Sequence, residues 1–442
     1  MVVALVRGYT VHMQQQSDER FVVRGLSGEK ALSGSVAVSG SKNASLPALA
    51  ASLLFREPVT YGNVPRIEDI VRTRELLAHL GADVSEGAHG IRVATSGVSG
   101  GALDADIVKR MRASVFFTGP LLARFGEVTF PHPGGCVIGE RPIDLFLESF
   151  SKMGASVREE GETFKISAPD GLSGATLFLP VPSVGVTETV LMAAALASGT
   201  TVIENAAMEP EVAHLVRFLT ASGASIDGVG TSHITVHGRG GTLLEGEATY
   251  EAPPDRLEAG SFLILGALAA RELTITNCVP EELRALTERL ARAGVSIEAG
   301  ERTLSVSAPD ALRAVWVKTH EYPGFPTDLQ APMVVLLSQA RGESRVFETI
   351  FEGRLHYIQD LVRMGADIRL ISDREVLIHG PQRLRDKELR SPDIRAGLAF
   401  IIAASIAEGT SQIYDIYSID RGYERIEEKL QSIGLDITRV TG

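Results

Sequence analysis

Cysteine is nearly absent from this 442-residue chain, which has only Cys136 and Cys278. Two thiols exclude a disulfide scaffold and fit a reducing, cytoplasmic setting. No histidines and cysteines fall at zinc-site spacing, so no metal is expected. No phosphate-cradling glycine loop occurs either: Gly228-Val-Gly230 lacks the third glycine and a strand-to-helix setting. Positive charge is also short, with 43 Lys and Arg against 55 Asp and Glu, a net of −12. Binders of nucleic acid or anionic membrane are usually basic, so neither is an expected partner. The longest apolar run, 396–407, is interrupted by Ser405. As a helix it would reach about 18 Å, against a bilayer core of about 30 Å. The N-terminal apolar run stops at Arg7 with no small-residue cleavage site after it, so it does not read as a signal peptide. Residues 1–19 read as a polar tail.

What the chain has instead is a repeat. A helix end, a glycine, a small or apolar residue and a strand recur at Gly81, Gly154, Gly223, Gly294, Gly365 and Gly434, spaced 73, 69, 71, 71 and 69 residues apart. Each glycine stands where a helix ends in a left-handed residue. An amphipathic helix precedes it, as at 282–293, and alternating strands follow, as at 225–227 and 233–237. Earlier in the unit lies a more apolar helix (44–54, 189–197, 261–270, 398–407) and then a strand (201–204, 273–276). Solenoid repeats are typically 20–45 residues, so units of about 70 favour two compact trios. The segment 250–255 separates units three and four. A first strand at 32–38 is able to pair with either half.

Polar residues gather at the starts of the repeated helices, where free N–H groups and the helix dipole favour anions. Lys42, Arg112, Arg256 and Arg395 stand before the first helices of their units; Arg66, Arg141, Arg354 and Arg421 stand near the second. Two trios facing each other would converge these cations on one cleft, a focused anion site in an acidic protein. Singly, each is as well read as a solvated arginine or a helix cap. Cys136 lies on a loop rich in proline and glycine, five residues before Arg141, where a thiol is drawn toward thiolate; the plainer reading is a small buried hydrophobe. Asp328 caps a helix, or acts as a general base if it faces the cleft.

These motifs occur in order: Ser39-Gly-Ser-Lys-Asn43, Met111-Arg-Ala-Ser114, Gly134-Gly-Cys-Val-Ile-Gly-Glu-Arg-Pro-Ile-Asp144, Phe325-Pro-Thr-Asp328 and Asp420-Arg-Gly-Tyr-Glu-Arg-Ile426. From about residue 20 to the end, the chain resembles the UDP-N-acetylglucosamine 1-carboxyvinyltransferase family of enolpyruvyl transferases. The resemblance implies an α/β fold, a two-domain inside-out barrel of six repeated units. Residues 42–253 would form one domain and 20–41 plus 254–442 the other, with the active site in the cleft between them. It implies that Lys42 and Asn43 bind phosphoenolpyruvate. Arg112, Arg141, Pro142, Ile143, Asp144, Leu145, Pro182, Ser183, Val184, Asp328 and Ile350 would hold UDP-N-acetylglucosamine. Arg354, Arg395 and Arg421 would surround the phosphate and carboxylate, Cys136 would donate a proton and Asp328 would accept one. No metal or organic cofactor is implied. The chain departs from the family pattern at Ser41, Phe146, Gly353 and Ser418, near the acceptor and the C-terminal clamp. Another acceptor, such as shikimate 3-phosphate or a different nucleotide, and a non-catalytic sugar-nucleotide sensor remain as alternatives; the Gly-Gly-Cys loop and the Arg-Gly-Tyr-Glu-Arg-Ile motif disfavour the shikimate enzyme, and the joint presence of acid and base disfavours the sensor.

Overall fold

A computed structural model of the chain describes residues 19–87, 89–134 and 143–441. Its apolar side chains separate into two cores. One gathers residues between Leu46 and Ala252. The other joins Phe21 to Val38 with Leu257 to Ile437. The chain passes between them twice, and the two passages lie side by side. Gly40 bridges Pro254, the Ser41 N–H donates to the Pro253 carbonyl at 2.6 Å, and the Asp255 N–H donates to the Ser39 carbonyl at 2.8 Å.

Each core holds helices that are apolar all round, the pattern of a helix with no solvent face. Every residue of Ile394–Ile406 is buried. So is every residue from Val186 to the end of Val184–Leu196, and all but one of Arg256–Ala269. No helix is long and apolar enough to cross a membrane among the described residues.

The strands among the described residues form six sheets. Five share one plan, a parallel pair at one end followed by antiparallel partners. Thus Thr176–Phe178 runs parallel to Thr200–Glu204, which pairs antiparallel with His233–His237, which in turn pairs with Ser225–Asp227. The sixth sheet has three antiparallel strands, and an isolated parallel bridge, Ala102 to Thr129, stands where a fourth strand would add. The six glycines of the repeat all take positive φ, between 93° and 109°, the conformation that lets a helix end and its strand turn back.

A second recurring device is absent from the sequence reading. Asn63, Asn205 and Asn277 each follow a strand with φ between 52° and 57°. Their side-chain amides donate to the carbonyls of Ala252, Leu179 and Val38 at 2.8, 2.8 and 2.9 Å. Asparagine tolerates the left-handed region because its short amide bonds locally. Each one therefore ties the end of a strand to the neighbouring chain.

The N-terminal region differs from expectation. The strand anticipated at 32–38 is Leu32–Ala37, parallel to Ala270–Thr276 and so part of the second core. An additional strand precedes it. Arg20–Arg24 lies between Thr410–Tyr414 and Asp436–Val440, antiparallel to both. Phe21 and Val23 are fully buried there. Five residues are too few for their alternation to stand out in sequence; distant partners define the strand.

Candidate functional site

Lys42 opens the helix Lys42–Ala51, which Ser41 caps by accepting from the Ala44 N–H. The Lys42 backbone N–H donates to Asp255 at 3.3 Å, so this helix start is anchored to the second passage. The Lys42 ammonium, buried, meets Asp69 Oδ2 at 2.7 Å. Asp69 lies in the first turn of Glu68–His79 and is itself buried. Arg421, just past Tyr417–Asp420, donates from Nε to Asp69 Oδ1 at 2.8 Å and from Nη2 to Oδ2 at 3.4 Å. Two cations from separate cores therefore share one carboxylate.

Asp328 holds a second such pair. It sits in the tight turn Thr327–Leu329 that leads into Gln330–Leu337. Arg354 reaches Asp328 Oδ1 at 2.7 Å and Thr327 at 2.9 Å. Arg395, in the first turn of Ile394–Ile406, reaches Oδ2 at 3.1 Å and the Tyr423 hydroxyl at 2.8 Å. Burial pushes the Asp328 carboxyl up, but the Arg395 and Arg354 charges outweigh it and hold it well below the usual range. Burial pushes the Tyr423 phenol up to about 12, so it stays a neutral hydroxyl beside Arg395.

Other expected residues stand around these pairs. Asn43 is half-buried in the first turn beside Lys42. Ser183 caps Val184–Leu196 through the Val186 N–H, with Pro182 and Val184 half-buried on either side. Arg112 begins the turn Arg112–Phe117. With Ile143 and Asp144 it lines an open groove of about 250 Å³. Leu145 follows, half-buried, in Asp144–Lys152. The half-buried Ile350 donates its N–H to Glu348 at 2.8 Å. Cys136, Arg141 and Pro142 lie outside the described residues.

These side chains are not the row of unbalanced cations that the helix starts suggested. Lys42 with Arg421, and Arg354 with Arg395, each bracket a carboxylate. Arg256 pairs instead with Glu211, at 3.1 and 3.3 Å. Arg66 is exposed on the surface. The physical reason is burial: unpaired guanidinium groups out of water are too costly to keep. Asp69 is the residue the sequence reading missed. A signal was present, because Asp69 falls on the same helical stripe as Thr73, Leu76 and Leu80, all of them buried. A carboxylate on an apolar stripe needs a partner.

The family departures have plain settings. Phe146 is buried beside Gly185, where a Cβ would come within 3.3 Å of its ring. The Ser418 hydroxyl bonds that of Ser391. Gly353 lies in the turn just before Arg354.

Comparison with known proteins places the chain in a family. The family model described as EPSP synthase (3-phosphoshikimate 1-carboxyvinyltransferase) matches residues 26–430. A UDP-N-acetylglucosamine 1-carboxyvinyltransferase of Desulfosudis oleivorans is 43% identical over 423 residues, 96% of this chain and 100% of that protein. The namesake from Enterobacter cloacae is 42% identical over 94% of this chain and 98% of its own. In fold, the chain resembles the enolpyruvyl transferase NikO from Streptomyces tendae, with a TM-score of 0.87 at 24% identity over 96% of this chain and 100% of that one. An EPSP synthase from Acinetobacter baumannii aligns with a TM-score of 0.71 at 18% identity, over 96% and 100%. Identity of this order, sustained over nearly the whole of both chains, means that this chain belongs to the UDP-N-acetylglucosamine 1-carboxyvinyltransferase family of enolpyruvyl transferases.

Proposed function

We infer that the chain transfers the enolpyruvyl group of phosphoenolpyruvate to the 3-hydroxyl of UDP-N-acetylglucosamine, releasing phosphate. This is the first committed step of peptidoglycan synthesis, carried out in the cytoplasm. The observation that carries the reading is the pair of carboxylates, Asp69 and Asp328, each bracketed by two cations. One substrate brings a phosphate and a carboxylate together, and such a cleft suits two anionic groups held a few ångströms apart.

In the addition step the sugar hydroxyl oxygen bonds to C2 of phosphoenolpyruvate. Asp328 takes the hydroxyl proton and Cys136 gives one to C3. In the elimination step C3 loses a proton and the C2–O bond to phosphate breaks, restoring the double bond and releasing phosphate. Asp328 is a weak base while two guanidinium groups hold it. The incoming phosphate and carboxylate would draw Arg354 and Arg395 toward themselves, raising the basicity of Asp328 when the acceptor is in place. Lys42 and Arg421 offset the remaining negative charge of the substrate. Asn43, Arg112, Arg141 to Leu145, Pro182 to Val184 and Ile350 hold the substrates around this centre.

On this reading the molecule is the two-domain inside-out barrel, with 42–253 as one domain and 20–41 plus 254–442 as the other. Two separate cores, six sheets and the recurring glycines support that division. Phosphate release from phosphoenolpyruvate, measured with UDP-N-acetylglucosamine and separately with shikimate 3-phosphate, tests the function. Turnover with the sugar nucleotide alone is expected. Turnover with shikimate 3-phosphate alone would replace this reading with the shikimate enzyme.

A further inference from the structure

Asp69 is fixed more firmly than any single partner requires. The first turn of Glu68–His79 carries it, where unpaired N–H groups and the helix dipole favour a carboxylate. The Thr73 hydroxyl donates to its carbonyl at 2.8 Å and ties that turn down. Both of its oxygens are engaged, by Lys42 at 2.7 Å and by Arg421 at 2.8 and 3.4 Å. Lys42 begins the helix next to the first core, and Arg421 belongs to the segment that builds the second. Asp69 therefore links the segments beside the two cores and sets the separation of two cations that otherwise repel. It engages one of the three N–H groups of the Lys42 ammonium.

We propose that Asp69 is a positioning residue for enolpyruvyl transfer: it holds Lys42 charged and aimed, and it clasps Arg421 at a fixed distance from Lys42, so that the two cations stand ready for the phosphoenolpyruvate anion. The proposal rests on the function assigned above. The charges facing Lys42 come from four elements. Asp69 stands on Glu68–His79, Arg421 follows Tyr417–Asp420, Arg395 stands on Ile394–Ile406, and Asp255 precedes Arg256–Ala269. Burial pulls the Lys42 ammonium toward neutrality and Asp69 opposes it, while Arg421 and Arg395 add to the downward pull. Removing the Asp69 charge lets Lys42 lose its proton at lower pH, and with it the grip on an anion.

The test is steady-state kinetics of the full chain between pH 6 and 10 for wild type, Asp69→Asn and Asp69→Glu. Asp69→Asn is expected to lower kcat/KM for phosphoenolpyruvate by about 10- to 100-fold, the scale of a misplaced reacting group. KM for the sugar nucleotide should stay within about two-fold, and the alkaline limb for phosphoenolpyruvate should move to lower pH. Asp69→Glu keeps the charge on a longer arm; it should restore the alkaline limb but not the full kcat/KM. An unmoved alkaline limb in Asp69→Asn, or equal losses for both substrates, would overturn the proposal. If Asp69→Asn does not fold, Asp69→Glu decides: wild-type kcat/KM for phosphoenolpyruvate in that variant sinks it. If wild type releases no phosphate with UDP-N-acetylglucosamine, the functional reading fails first. Calorimetric binding of phosphoenolpyruvate by wild type and Asp69→Asn across the same pH range then tests Asp69 alone. Equal affinities there, or no binding by wild type, would reject it.

Discussion

Arg395 meets a single oxygen of Asp328, donating from Nε at 3.2 Å with Nη2 in ion-pair contact at 3.1 Å, and leaves the other oxygen to Arg354. The carboxylate is thus bound before any substrate arrives, and neither guanidinium is left without a counter-charge. Asp328→Asn removes the proton acceptor and both ion pairs while keeping the shape. Turnover should fall by about 10²–10⁴-fold. Stability should fall by roughly 2–3 kcal/mol, less than for a fully buried pair because Asp328 is partly exposed. Inorganic phosphate, filling the vacated charge, should raise the melting temperature of the variant more than that of wild type. Thermal melts with and without phosphate check this; an equal shift in both proteins would mean the arginines do not take up the anion.

Acid should unfold the protein through the same carboxylates. Burial acts against the charge of Asp69 and of Asp328, yet the neighbouring cations win and both stay ionised below the ordinary carboxylate range. Groups with depressed values stabilise the fold above the unfolded-state pKa, about 3.9. That stabilisation is lost as the pH falls through the folded-state value. The contribution of these pairs to the urea midpoint should therefore be level between pH 6 and 5 and drop below about pH 4. A midpoint unchanged at pH 3 would show that these pairs contribute nothing net.

Glu188 predicts the opposite slope. It is fully buried in Val184–Leu196, and neither carboxyl oxygen finds a hydrogen-bond partner among the described residues. Burial, then Glu211 and Glu209, push its pKa well above the usual value, so it is held as the neutral acid. The folded state keeps a proton that the unfolded chain releases above about pH 4.3, and stability declines as pH rises toward the folded-state value. Glu188→Gln keeps the size and is neutral at every pH. It should match or exceed wild-type stability at pH 8 and flatten the profile between pH 5 and 9, as read by denaturant midpoints. A steeper profile in the variant would contradict a neutral Glu188.

The two thiols should react differently with an electrophilic epoxide phosphonate such as fosfomycin. Cys278 is buried, and burial pushes its thiol up, away from the reactive thiolate. Cys136, the proposed proton donor, should carry the adduct and wild type should lose activity. Cys136→Asp retains an acid and should keep measurable turnover without being labelled. Intact-mass spectrometry with peptide mapping settles the site; an adduct on Cys278, or none on wild type, would remove Cys136 from its role.

The repeat was legible because its signal is local. A glycine after a helix, recurring every 70 residues or so, needs no knowledge of distant partners, and all six glycines have the backbone expected of them. The cations at helix starts were legible for the same reason. What the sequence withheld was pairing. Nothing near Arg256 announces Glu211, 45 residues earlier, and nothing near Arg421 announces Asp69, 352 residues away. The strand Arg20–Arg24 was hidden likewise, since its partners lie at the far end of the chain. Short-range chemistry fixes which residues begin a helix; which carboxylate each cation meets depends on how two cores face one another.

The twin passages between Ser39 and Asp255 also impose an order of assembly. Synthesis runs from the N-terminus, and domains generally fold as units while it proceeds. The core between Leu46 and Ala252 has all its residues once the ribosome passes the second passage. The other core does not: Arg20–Arg24, made first, waits for Thr410–Tyr414 and Asp436–Val440, made last. Until then its Phe21 and Val23 have no strand to lie between. A chain stopped a few tens of residues short would leave the earliest strand unsheltered, a ready edge for pairing with another chain, beside an inserted core that has already closed.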